Sequence, residues 1–99
     1  MKKLIEYIQE CIDSENLAWK IEVYFKRKKD AQYNSFIKIV KKFAETHQIT
    51  DEDLKDTKFD LKKFIDFMCE DIEDEQPRDY KYLLQKLLSN VLDDKTIQL

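Results

Sequence analysis

The chain has 99 residues, 42% of them hydrophobic and 39% charged, with a formal net charge of −3. That length makes one domain, about 13 Å in radius of gyration when compact, and the apolar share excludes a disordered chain. There is no glycine and only one proline. This excludes glycine-rich phosphate loops, dinucleotide fingerprints and glycine hairpins, and it implies turns that need no left-handed residue.

Five amphipathic segments follow one another at the helical spacing i, i+3, i+4, i+7. In the first, Leu4, Ile5, Ile8, Cys11 and Ile12 share a face. Asp13 or Ser14 caps the second, which aligns Leu17, Ala18, Ile21, Tyr24 and Phe25. The same stretch alternates Leu17, Trp19, Ile21, Val23 and Phe25 with the period of a strand. No other segment reads as a strand that would pair with it, so helix is the reading. A strand pairing with its copy in a dimer is the alternative. The third segment opens near Asp30 and aligns Tyr33, Phe36, Ile37, Val40, Phe43, Ala44 and His47.

Thr50-Asp51-Glu52-Asp53 is a helix-start signal, with carboxylates where the helix N-terminus is positive, and predicts a short helical turn through Asp56. The fourth segment aligns Leu61, Phe64, Ile65, Met68 and Ile72. The fifth follows Pro77 and aligns Tyr80, Leu83, Leu84, Leu87, Leu88 and Val91. Residues 94–99 read as a loose tail. The expected fold is all-α: a single compact bundle, residues 1–99, of four or five short amphipathic helices. Its core is expected to hold Leu17, Ile21, Phe25, Phe36, Ile37, Val40, Phe43, Phe64, Ile65, Met68, Leu84, Leu87 and Leu88. The aromatics, Trp19 included, supply bulky core volume.

The motifs of catalysis and metal binding fail on particular residues. His47 is the only histidine, and no serine or cysteine stands near it in a triad-like context. Cys11 and Cys69 are the only cysteines; both sit among apolar residues, as reduced, buried thiols of a cytosolic protein do. They form no Cys-x-x-Cys pair, so no metal site is expected. The stretch from Asp51 to Asp56 begins like a calcium loop, but Lys55 takes a ligand position and Asp56 the place of the required glycine. No enzyme activity and no cofactor are expected.

Charge is placed unevenly. Residues 1–50 carry ten Lys/Arg against seven Asp/Glu, a net of +3; residues 51–99 carry eight against fourteen, a net of −6. The acidic stretch Glu70, Asp71, Glu73, Asp74 and Glu75 is the leading candidate contact, a surface for a protein partner with a basic face. Asp51, Glu52, Asp53, Asp56, Asp60 and Asp66 would extend it. Carboxylates near the C-terminal end of the fourth segment oppose the helix dipole, a small cost that points to a role other than stability. The alternative is a weak nucleic-acid binder using Lys26, Arg27, Lys28, Lys29, Lys38, Lys41 and Lys42, close to Tyr24, Phe25 and Tyr33. A helix-turn-helix around Ala44, Ile49 and Leu54 is rejected as a DNA reader, because its second helix carries Asp51, Glu52, Asp53 and Asp56 against one Lys55. No uninterrupted run of large apolar residues is longer than three, as in Val23-Tyr24-Phe25, so no membrane span is expected.

The first eleven residues, Met1-Lys2-Lys3-Leu4-Ile5-Glu6-Tyr7-Ile8-Gln9-Glu10-Cys11, resemble the leader of internal head proteins of T4-like phages. Met1, Lys2, Glu6, Ile8 and Glu10 match that leader, and Tyr7 stands in for its phenylalanine. Leu4 replaces the usual aromatic residue and Cys11 the small residue after the processing site. The resemblance covers those residues alone. It implies a phage-encoded chain acting in the bacterial cytoplasm, and a leader that targets the prohead and is cut between Glu10 and Cys11. The sequence thus suggests a small non-catalytic interaction domain, an inhibitor or adaptor, with a phage structural or packaged protein as a further alternative.

Overall fold

A computed structural model describes residues 6, 8–10, 16–27, 30–70 and 78–94. Five helices follow in order: α1 (Asn16–Arg27), α2 (Asp30–Thr46), α3 (Asp51–Lys55), α4 (Leu61–Met68) and α5 (Tyr80–Asp94). Residues 8–10 are also helical, and the described residues contain no strand. The fold is all-α, and residues 17–25 are helix rather than a pairing strand. The helix-start signals Asp13 and Ser14, and also Pro77, lie outside the described residues.

Local chemistry sets the ends of the helices. Thr50 caps α3 in a reciprocal capping box: Asp53 N donates to Thr50 Oγ1 at 3.2 Å, and Thr50 N donates to Asp53 Oδ2 at 3.0 Å. Asp60 caps α4, accepting from Lys63 N at 3.1 Å. Asp79 does the same for α5, accepting from Tyr82 N at 3.1 Å. Helix α5 runs on through Asp94, so that residue belongs to the helix and not to the tail; residues 95–99 lie outside the described residues. At the end of α2 the chain turns through His47 at φ 57°, whose N–H donates to Phe43 O at 2.7 Å. The chain therefore does use a left-handed residue. With no glycine available, a histidine takes the position at which glycine carries no steric cost.

Helix α1 packs on α2 and α4, and α5 packs on the same two helices from the other side. One continuous core fills the space between them. Its centre is aromatic. Phe64 of α4 meets Tyr24, Phe36 and Phe59 at ring-centroid distances of 5.3, 5.2 and 5.1 Å, and Phe25 stacks on it at 6.0 Å. Leu83, Leu84, Leu87, Leu88 and Val91 of α5 close the core, and burying each such side chain contributes about 1.5–3 kcal/mol. The Cα radius of gyration is 12.8 Å.

The connection between α3 and α4 is fastened to α2 by side chains. The Gln32 amide donates to Lys58 O and accepts from Asp60 N at 3.1 Å, while Ser35 Oγ accepts from Lys58 N at 3.3 Å. These bonds satisfy backbone groups that have no helical partner, and the connection in turn places Phe59 in the core.

The core differs from expectation at several positions. Trp19 is 62% exposed and contributes no core volume. It stands two residues from both Leu17 and Ile21, on the far side of a helix whose inward stripe those two define. Ala18 is also exposed. Ile37 is half-buried against the core, and Ile39 takes the fully buried place beside Val40. Ile49 and Phe59 are buried although neither belongs to a helical stripe. The remaining expected core residues are buried, and Ile8 joins them at 1% exposure.

Candidate functional site

The acidic candidates divide by their partners. Glu70, just past the Cys69 C-cap of α4, is exposed and makes no ion pair among the described residues. Asp71, Glu73, Asp74 and Glu75 lie outside the described residues. Of the carboxylates expected to extend this face, three have structural work. Asp60 caps α4. Asp66 accepts from Arg78 Nη1 at 2.7 Å and from the Tyr80 hydroxyl at 3.3 Å, which ties the last turn of α4 to the start of α5. Asp53 closes the capping box and lies 3.5 Å from Lys42 Nζ. The Thr50 backbone N–H, then the Thr50 hydroxyl and the Lys42 charge, hold the Asp53 carboxyl below its ordinary range. Asp51 pairs with Lys81 at 3.5 Å, while Glu52 and Asp56 stay exposed beside a shallow depression that they line with Asp53 and Lys55.

The basic candidates are also dispersed. Lys26 pairs with Glu22 one turn earlier at 3.5 Å, and Lys42 with Asp53. Lys38 and Lys41 are exposed on α2 and make no ion pair among the described residues. Arg27 is the last residue of α1 and its side chain is not described; Lys28 and Lys29 lie outside the described residues. A further cation is turned inward: Lys20 is 7% exposed and donates to Met68 O at 3.3 Å, placing positive charge at the negative end of α4.

His47 is exposed, with its ring edge-on to Phe43 at 5.9 Å. Cys69 is a buried free thiol. Cys11 lies outside the described residues. Tyr24 is buried in the core; burial first, then the negative charge of Asp60, raises its phenol above the ordinary 10.0. Among the described residues no three His, Cys, Asp or Glu side chains converge as metal ligands, and no helix is long and apolar enough to cross a membrane.

The spacing argument did not single out the exposed aromatics Trp19, Tyr33 and Tyr82 (62%, 38% and 44% exposed) as surface features. For Trp19 the signal was present in its offset from the apolar stripe. For Tyr33 it was hidden, because that residue lies on the stripe and packs one side of its ring on Phe25 while the ring stays 38% exposed.

What the geometry defines is an all-α fold with charged, aromatic-bearing helix faces. No family model, no curated protein and no solved structure matches the chain.

Proposed function

We propose that this protein is a small non-catalytic protein-interaction domain, an inhibitor or adaptor, whose acidic segment Glu70, Asp71, Glu73, Asp74 and Glu75 docks on a basic partner surface. The observation that carries the reading is the contrast between Asp66 and Glu70, one turn apart. Arg78 and Tyr80 meet the Asp66 carboxylate, whereas Glu70 stands exposed at the unfavourable end of α4 and makes no ion pair among the described residues. A carboxylate that adds nothing to stability is free to serve recognition, and complementary charge speeds encounter and selects the partner.

The test replaces the five carboxylates by their amides, Glu70→Gln, Asp71→Asn, Glu73→Gln, Asp74→Asn and Glu75→Gln. Partners captured from the native host by the unmodified chain should be lost by the variant, with helical circular dichroism unchanged. Capture that survives all five substitutions would remove the proposal.

A further inference from the structure

The α1–α2 hairpin carries a second surface, independent of the acidic segment. Trp19 and Tyr33 are 62% and 38% exposed, and they lie on adjacent helices. The edge-on contact of Phe25 with Tyr33, 5.2 Å between centroids, sets the register of the two helices. Helical spacing sets Trp19 with Glu22 and Lys26 on the outward side of α1, and Lys38, Lys41 and Glu45 on the outward side of α2, with Tyr33 and Ile37 nearer the seam between the two helices. Ala18, Glu22, Lys26 and Lys41 are exposed, and Ile37 is half-buried. Lys26 neutralises Glu22 at 3.5 Å, and the exposed Glu45 one turn after Lys41 offsets part of the charge of Lys38 and Lys41, so the face keeps a net positive charge of about one.

We infer that this hairpin face binds single-stranded nucleic acid, with Trp19 and Tyr33 as stacking platforms and Lys38 and Lys41 as phosphate contacts. Flat aromatic surfaces flanked by cations match a ligand that alternates π-faces with negative charge. A duplex presents phosphates but keeps its bases stacked on one another, which leaves the exposed rings unused. Lys42 and Lys26 are already engaged by Asp53 and Glu22, so the contact is small and the affinity strongly dependent on salt.

Trp19 is the only tryptophan, so its emission reports on this face directly. The probe is an oligothymidylate of about 20 nucleotides, long enough to cover a typical single-strand site. Trp19 fluorescence should be quenched saturably at low salt. Affinity should fall about tenfold for a fourfold rise in salt, as expected for two or three phosphate contacts. By anisotropy of a labelled oligonucleotide, Trp19→Ala should weaken binding about tenfold, and Lys38→Gln with Lys41→Gln should flatten the salt dependence. The substituted side chains are exposed, so circular dichroism should not change. Absence of binding at low salt would overturn the inference. So would binding indifferent to Trp19→Ala, or Trp19 emission that changes with protein concentration alone, the mark of a self-interface. The five-amide variant of the acidic segment should bind the oligonucleotide as well as the unmodified chain or better, which separates this surface from the one proposed above.

Discussion

At His47 a single residue takes up the consequence of a composition without glycine. Its φ of 57° is the left-handed conformation that ends α2, and a side chain there costs about 1–2 kcal/mol. Histidine is among the residues that tolerate the region best. The edge-on contact of its ring with Phe43 returns part of the cost. His47→Gly should therefore stabilise the fold by about 0.5–1 kcal/mol, after allowance for the greater freedom of glycine in the unfolded chain. Urea denaturation measures this, and a destabilised variant would show that the Phe43 contact outweighs the strain. Composition shows that glycine is missing; it does not show which residue takes its place, because tolerance of the left-handed region depends on the path of the chain.

The elements show why some parts of the fold were legible and others not. Helical spacing located α1, α2, α4 and α5 because each has one inward face, and a capping box announced α3 through Thr50 and Asp53. Ile49 and Phe59 escaped that logic. They are isolated apolar residues in connections, buried because Gln85 holds Ile49 O at 3.3 Å and Gln32 holds the backbone on both sides of Phe59. The candidate acidic face was legible as a run of charge, but not the pairing of Asp53 with Lys42 and of Asp66 with Arg78, nor the cap that Asp60 makes on α4. The two ion pairs depend on which basic group arrives from another part of the fold, whereas the Asp60 cap is a local contact with Lys63 N. The N-terminal segment belongs to the same scale. Ile8 is 1% exposed within the core, so a cut between Glu10 and Cys11 would withdraw a core side chain. Ile8→Ala should cost about 2–5 kcal/mol, measured by chemical denaturation. A change below about 0.5 kcal/mol, the range of ordinary surface substitutions, would show that the segment is dispensable, as a processed leader requires.

Over the whole molecule, the aromatic cluster joins what the chain order separates. Phe64 touches rings from α1, α2 and the connection ahead of α4. Phe64→Ala should cost about 3–5 kcal/mol, against a total of about 5–15 kcal/mol for a domain of this kind. Thermal unfolding should shift downward by many degrees or lose its cooperativity, and an unchanged midpoint would contradict the central placement of this ring. Charge behaves differently at this scale. The basic first half and the acidic second half do not form two poles, because Lys42 of α2 reaches Asp53 of α3. Such exposed pairs add little stability, and they leave Glu70, Glu52, Asp56, Lys38 and Lys41 among the exposed charges that make no ion pair among the described residues.

Local pattern by itself determined the all-α class, the helix positions, the Thr50 cap and most of the core, because periodicity and capping are properties of neighbouring residues. Only the tertiary arrangement turned Lys20 inward, buried Ile49 and Phe59, and drew Asp53 and Asp66 into ion pairs while Glu70 stayed exposed. Those outcomes depend on what each side chain meets across the fold, and no spacing along the chain encodes that meeting.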